Sequence, residues 1–474
     1  MRTFPSLTTC LLLGLASVGC ARAPEPERRP PVILFSIDTL RADRLGCYGC
    51  PLPTSPNLDR FAGEAVVFRE ALAAAPNTAP SHMSIFTSLS PIIHGVRNFG
   101  EGGRRLPASL PTLPAFLRRE GYLTVGIHGG GNLGGELGFG EGFDHYAPEF
   151  FRWPEGEGVL EAGLDELAAV EERIRAQVRH SRDEGRPIFL FLHHYLCHDP
   201  YLSGPAEYRL RFLTDPVKGL PVKPEDIRPG GGFQGMRDRF FGPADPDNPE
   251  HTRHYLALYD GGVFYSDYVF GRVRRVLEEE GIFADSLFVV VADHGEELRD
   301  HGGILHWKLF RETIRVPLII KFPDNRYAGE EVDTPVSTLD IFPTVAAWLG
   351  LGQNLPPHQG HSLLPLVTGD EAYVGDPVSF SGPGNSLRLS RGGATYINQE
   401  IDGVGERLFL AGDREERRNL ARERKATARL RALARDILAE NQALAQRLTG
   451  GEAEQKPEAD EERRRQLRAL GYLN

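Results

Sequence analysis

The sequence predicts an α/β protein: a three-layer sandwich on a mostly parallel central sheet, with a small α+β subdomain at its C-terminal end. Five short runs of β-branched and aliphatic residues carry the first part: Val32–Ile37, Leu123–Ile127, Ile188–His193, Leu287–Ala292 and Val316–Lys321. Continuous apolar runs of this length suit strands covered on both faces. Helical patterns at Leu113–Glu120, Leu160–Arg182 and Ser266–Glu280 separate them, and such alternation places helices on both sides of a sheet. After Pro365 the pattern changes. Pro377–Leu389 and Ala394–Leu410 read as short strands with glycine turns, and Arg422–Leu448 as one amphipathic helix.

The chain divides accordingly into a main domain at 32–365, a subdomain at 366–450 and a charged tail at 451–474. Within the main domain, 201–254 is dense in Pro, Gly, Asp and Arg and reads as a long loop excursion, a lid or substrate-facing insertion. Residues 1–20 differ from all of this. Arg2, the apolar run Leu11–Ala16 and the small residues before Cys20 read as a secretory signal, too short for a spanning helix. Gly19-Cys20 resembles a bacterial lipobox, which implies cleavage before Cys20 and a lipid on its sulfur. Residues 21–31, rich in Pro, Glu and Arg, would be the tether. The expectation is an exported, periplasmic or cell-envelope protein held to the membrane by that lipid.

With 54 basic and 65 acidic side chains the net charge is −11, and no basic stripe stands out. Nucleic acid is therefore not the expected partner. Cys47 and Cys50 are spaced like a redox or half-zinc pair, yet no second pair follows. They read as incidental loop cysteines.

In parallel sheets chemistry collects at the carboxyl ends of strands. Asp38 follows the first run, His198 the third, and Asp293 and His294 the fourth. Two strand-end carboxylates and an imidazole make a mixed ligand set for a divalent cation; alone, Asp38 would read as a turn or helix cap. Thr78 precedes Pro80 at the start of a helical pattern. There it either caps the helix or presents a hydroxyl where unpaired N–H groups favour an anion.

Between 32 and 420 the sequence resembles the sulfatase family of the alkaline phosphatase superfamily. The carriers are Leu45-Gly46-Cys47-Tyr48-Gly49, Thr54-Ser55-Pro56-Asn57, Thr78-Ala79-Pro80-Ser81-His82, His94-Gly95-Val96, His198-Asp199-Pro200-Tyr201, Asp293-His294-Gly295-Glu296, Asp340-Ile341-Phe342-Pro343-Thr344 and Asn419-Leu420. The resemblance implies an alkaline phosphatase-like fold and an ester hydrolase. One divalent metal would be held by Asp38, Thr78, Asp293 and His294, with His198 near the leaving-group oxygen. It further implies His306 and Lys308, with His82 as a possible cation, as anion contacts; Asn98, Tyr122 and Thr124 are weaker candidates for the pocket wall. His301 and His306 are equal candidates for support around the metal.

The departures carry as much chemistry. Sulfatases place Cys or Ser at position 78, oxidised to formylglycine, and Arg at 82; this chain has Thr78 and His82, so no formylglycine is expected. Gly129-Gly130-Gly131 replaces a Gly-Lys-Trp-His region, and Thr39 stands where many sulfatases have a second Asp. A formylglycine hydrate expels sulfate by collapsing to the aldehyde, a route closed to threonine. Phosphorus tolerates the two-step displacement better, so phosphate or phosphonate esters are favoured over sulfate esters. Losing one Asp favours zinc, manganese or magnesium, with calcium still possible. The substrate would be a small-molecule, lipid or glycan ester. A phosphoryl or head-group transferase and a non-catalytic binding protein are the alternatives.

Overall fold

The computed structural model describes residues 29–98, 103–151, 162–227, 232–369, 373, 375, 377–381, 386–399, 404–422 and 424–451. The expected signal, Cys20, most of the tether and the tail beyond Gly451 lie outside the described residues.

The apolar runs form the sheet. Among the described residues, β1 (Val32–Ile37), β2 (Val66–Leu72), β3 (Leu123–Ile127), β4 (His145–Ala147), β5 (Ile188–His194), β6 (Leu287–Val291), β9 (Arg315–Lys321), β10 (Glu331–Val332) and β11 (Val336–Ser337) make nine strands, while β7 (Glu297–Leu298) and β8 (Ile304–Leu305) pair with each other apart from them. The order of the nine is β10-β2-β9-β6-β1-β5-β3-β4, with β11 also on β2. The five strands β6, β1, β5, β3 and β4 run parallel, and β9 is antiparallel to both β2 and β6. The predicted class holds: a mixed, mostly parallel sheet with helices, and a separate antiparallel sheet at the C-terminal end.

β1 lies at the centre because all six of its residues are apolar or small, and all are buried. Its alternation decides what each face meets. Phe35 packs edge-on against Phe270 of the helix Pro249–Glu279, whereas Ser36 bonds His82 of the helix Thr78–Thr87 on the opposite face. β5 alternates likewise, Phe191 and His193 facing His82 while His194 turns toward Phe35.

The 201–254 stretch is less irregular than its composition suggests. It holds a short helix at Ala206–Arg209 and a ten-residue helix at Gly232–Phe241. The helix expected from Ser266 starts at Pro249 and runs 31 residues, capped by the Asn248 side chain. Its Asp267 carboxylate, 1% exposed, accepts from the Asn57 and Leu58 backbone N–H groups at 3.0 and 2.7 Å, and so caps the helix Pro56–Ala62. Asp267→Ala would strand two donors, the one on Leu58 fully buried. The expected loss is about 2–4 kcal/mol, read as a lower urea midpoint at unchanged slope.

β12 (Val378–Ser381), β13 (Ser386–Arg391), β14 (Ala394–Gln399) and β15 (Gly405–Leu410) form the antiparallel subdomain sheet, against which the helix Arg424–Thr449 packs. The subdomain braces two segments of the main domain. Ser379 and the Phe380 N–H donate to the carbonyls of Ala73 and Ala74, just before Thr78. Gln399 and Arg388 bond the backbone of Trp307 and Leu309, beside His306. Among the described residues no helix is long and apolar enough to cross a membrane.

Candidate metal centre and active site

Asp38 leaves the end of β1, Asp293 and His294 leave β6, and the helix carrying Thr78 packs across their ends. These strands are hydrogen-bonded neighbours with Ser36 opposite Val291, so residues 255 positions apart arrive side by side. Asp38, Asp293 and His294 each bring a ligand atom within 4.8 Å of the others, and all three are fully buried. The Thr78 hydroxyl lies 3.4 Å from His294 Nε2 and against the Asp38 carboxylate.

The donor set fits a divalent cation. Asp38 Oδ1 and Asp293 Oδ2 are buried oxygens without a hydrogen-bond partner, an arrangement that costs several kcal/mol unless something positive compensates it. Burial, and then Asp293 beside it, push the Asp38 carboxyl well above the usual carboxylate range. Burial also works against ionised Asp293, but His294 and His82 hold its carboxyl below that range. Burial lowers His294 to about 4, which leaves Nε2 a lone pair to offer.

The turn after β1 is strained. Thr39 has φ 56°, a conformation that a β-branched residue adopts at a cost of about 1–3 kcal/mol. Three bonds hold it: Tyr259 donates to the Thr39 carbonyl at 2.6 Å, Tyr259 Oη accepts from Arg41 N–H at 2.9 Å, and Thr39 N–H donates to Asp293 Oδ1 at 3.2 Å. Thr39 thus orients a carboxylate through its backbone. Gly295 is required for closeness instead: a Cβ there would sit 2.0 Å from the Glu312 carbonyl oxygen.

His198 and His306 join this group from two further segments. The His306 ring lies 4.4 Å from that of His294 and 5.4 Å from that of His198. His306 Nδ1 is 3.1 Å from Glu296 Oε1, and His198 Nδ1 is 3.1 Å from Asp199 Oδ1. Burial, with His198 nearby, lowers His306 to about 3. Of the two histidines that sequence could not rank, His306 is the one at the site. His301 pairs with Glu312 at 2.6 Å and stacks on Phe310.

Several expected positions differ. His82 was expected to offer charge to an anion, but it is fully buried with both nitrogens engaged. Nδ1 meets the Thr78 carbonyl at 3.0 Å and Asp293 Oδ2 at 3.3 Å, and Nε2 meets Ser36 Oγ at 2.9 Å. Its fourth place after Thr78 points it down into the sheet. Asn98 Oδ1 accepts the Ala79 N–H at 2.9 Å, so it tethers the start of the Thr78 helix. With Pro80 lacking an N–H and the Ala79 N–H given to Asn98, an anion there meets fewer backbone donors than a helix start ordinarily offers. Lys308 Nζ bonds Glu297 at 3.2 Å and the His301 carbonyl at 3.1 Å, so its charge is already answered by a buried carboxylate. Tyr122 and Thr124 sit at the start of β3, the end of the sheet away from the site. They bond the carbonyls of Pro30 and Gly142.

Three residues escaped the sequence reading. His193 Nε2 lies 3.3 Å from Asp38 Oδ2, as the Ser36–His193 register of β1 and β5 dictates. Glu296 is fully buried beside His306 and pushed up to about 8, first by burial and then by Asp199. Arg237, from the insertion, grips Asp199 through both its Nε and Nη2 at 2.8 and 2.9 Å. A second acid directly after the Asp-His-Gly triplet was a usable signal for Glu296. Nothing local in sequence marks Arg237.

A sequence profile described as Sulfatase matches residues 30–351. The Delta 4,5-hexuronate-2-O-sulfatase of Bacteroides thetaiotaomicron is 26% identical over 91% of each chain. A multifunctional alkaline phosphatase superfamily protein of Trinickia caryophylli is 26% identical over 77% of this chain and 84% of its own. Among solved structures, the phosphonate monoester hydrolase of Agrobacterium radiobacter superposes with a TM-score of 0.65 at 21% identity, over 88% of this chain and 96% of that one. The chain belongs to the sulfatase family and is a hydrolase of sulfuric or phosphoric esters.

Proposed function

We propose that the chain is an exported, metal-dependent hydrolase in which Thr78 is the nucleophile, with phosphate or phosphonate esters favoured over sulfate esters. The observation that carries this reading is the Thr78 hydroxyl, 3.4 Å from His294 Nε2 and beside the Asp38 carboxylate, whose Oδ1 is buried without a hydrogen-bond partner. Asp38, Asp293, His294 and Thr78 would hold one divalent cation, for which zinc, manganese or magnesium fits the ligands better than calcium. When bound, the cation supplies positive charge that favours an ionised hydroxyl and draws electron density from a non-bridging ester oxygen.

The chain's own groups do the rest. Thr78 is fixed by its helix, and that helix is fixed by His82 beneath it and Asn98 at its start. Thr78 Oγ1 attacks in line, and the bond to the ester's leaving oxygen breaks. His198, anchored through Nδ1 to Asp199, turns its other nitrogen to that oxygen and gives it a proton. His306 lies between His198 and His294 and lines the same cleft. Water then cleaves the Thr78 ester. The phosphonate monoester hydrolase among the structural neighbours supports phosphorus as the target, and the hexuronate sulfatase among the relatives keeps sulfate esters in the comparison.

The test is purified protein loaded separately with zinc, manganese, magnesium and calcium, assayed on aryl sulfates, phosphate monoesters, diesters and phosphonate monoesters. Fastest turnover of a phosphorus ester supports the reading; turnover of aryl sulfates alone sinks the preference for phosphorus.

Export and lipidation form a separate part of the proposal, resting on the signal pattern that ends at Cys20. Cys20→Ser should move the protein from the membrane fraction to the soluble fraction and abolish labelling by a palmitate analogue. Equal membrane recovery of both forms would remove the anchor.

A further inference from the structure

We propose that Arg237, carried by the insertion helix Gly232–Phe241, is a positioning residue for His198 and acts through Asp199. This rests on the reading that His198 serves the leaving-group oxygen. The geometry is a three-residue relay. Arg237 donates from Nε to Asp199 Oδ2 at 2.8 Å and from Nη2 to Asp199 Oδ1 at 2.9 Å. A two-point grip of this kind fixes the plane of a carboxylate, which a single contact cannot do. Asp199 is fully buried, and its Oδ1 and backbone carbonyl lie 3.1 and 3.0 Å from His198 Nδ1. Nδ1 therefore bears a proton toward Asp199, which leaves the transfer at the ester oxygen to Nε2.

The insertion is seated firmly enough to impose this geometry. Tyr201, two residues beyond Asp199, packs edge-on against Phe240 and Phe241 at 5.8 and 6.0 Å. Tyr255 donates to the Phe240 carbonyl at 2.5 Å and packs its ring edge-on against Phe240 and tilted against Phe241. Burial opposes an ionised Asp199, yet Arg237 and His198 hold the carboxyl at about 2. Asp199 consequently stays ionised and can support a positive His198 ring. In the first step the Nε2 proton passes to the leaving oxygen as its bond to phosphorus or sulfur breaks. His198 is left neutral with its Nδ1 proton, and the water that cleaves the Thr78 ester returns a proton to Nε2. Arg237 acts through Asp199, on which its Nε and Nη2 both converge. It fixes which nitrogen faces the reacting atoms, so the insertion is a working part of the site.

The test has two arms on the full chain. In the first, protein carrying 15N-histidine is compared as wild type, Arg237→Gln and Arg237→Lys, with His198→Gln assigning the signal. In spectra recorded at a pH high enough for the ring to be neutral, wild-type His198 is expected in the Nδ1–H form, Arg237→Gln in a mixture with the Nε2–H form, and Arg237→Lys between them. An unchanged His198 signal in Arg237→Gln overturns the proposal. The second arm measures kcat/KM on aryl phosphonate monoesters and aryl sulfates of rising phenol pKa. Arg237→Gln should lose about tenfold or more with the poorest leaving groups and little with the best. The Arg237→Gln/His198→Gln double variant should be no slower than His198→Gln alone. An even loss across the series, or additive losses, overturns the proposal. Should the wild type cleave neither series, the hydrolase reading falls and the nitrogen spectra still judge Arg237. If Arg237→Gln does not fold, Asp199→Asn replaces it in both arms with the same expected results.

Discussion

Thr78→Ala is expected to lower kcat for the best ester substrate by roughly 10⁴-fold or more, the scale on which removing a nucleophile is felt, with metal content unchanged within about a factor of two. The two halves of that statement follow from the geometry. Three other side chains converge without Thr78, since Asp38, Asp293 and His294 already lie within 4.8 Å of one another. Alanine is also a better helix residue than threonine at a first-turn position, so the helix Thr78–Thr87 survives. Thr78→Ser should keep most of the activity, because it keeps the hydroxyl. It loses only a methyl group and the stiffness that the branched side chain gives χ1. Mass spectrometry of acid-quenched wild type should show one extra phosphoryl or phosphonyl group on the peptide holding Thr78, and none in Thr78→Ala. If Thr78→Ala retains turnover within tenfold of wild type, threonine is not the nucleophile. A water molecule at the same centre would then attack directly, and the absence of any labelled peptide would agree with it.

The sheet was readable because its strands are short, wholly apolar and sharply bounded. β1 and β3 match the predicted limits, Val32–Ile37 and Leu123–Ile127, residue for residue. β2 was missed because Arg69 and Glu70 interrupt its apolar run, and the structure has a register shift between Phe68 and Ala71 at that point. The insertion read as loop because Pro, Gly and charge hide the apolar face of Gly232–Phe241. The first six residues of Pro249–Glu279 fell inside the same stretch. At the site, the strand ends pointed to Asp38, Asp293 and His294, whose ligand atoms lie within 4.8 Å of one another. What the sequence lacked was direction. His82 lies on a helix whose ten residues are all buried, so no polar face marks which way the imidazole points. His193 sits inside an apolar run and becomes Asp38's neighbour only through the β1–β5 register. Arg237 depends on where an insertion folds back, a long-range fact that no local pattern encodes.

Asp38→Asn is expected to move activity and stability in opposite directions. In the metal-free chain two fully buried carboxylates sit within a few ångströms of each other, and each has an oxygen with no hydrogen-bond partner. Ionising both raises the free energy of the folded state, and holding Asp38 protonated instead, as its raised carboxyl favours, also costs stability at neutral pH. An amide at position 38 removes the repulsion and nearly preserves the shape, so chelator-treated Asp38→Asn should be more stable than chelator-treated wild type by roughly 1–3 kcal/mol. Adding zinc or manganese reverses the ranking. A cation present at about 100 times its Kd stabilises wild type by about 2.7 kcal/mol, and the variant, with one anionic ligand fewer, should gain little at that concentration. Activity follows the metal, and should fall by about 10³-fold or more because the charge that develops on the ester loses its counterion. Thermal denaturation of both proteins, with chelator and with metal, measures all four states. The arrangement predicts crossing curves. Parallel curves, with the variant less stable in both conditions, would mean that Asp38 is an ordinary buried structural carboxylate held by His193. The cation would then have to be sought elsewhere.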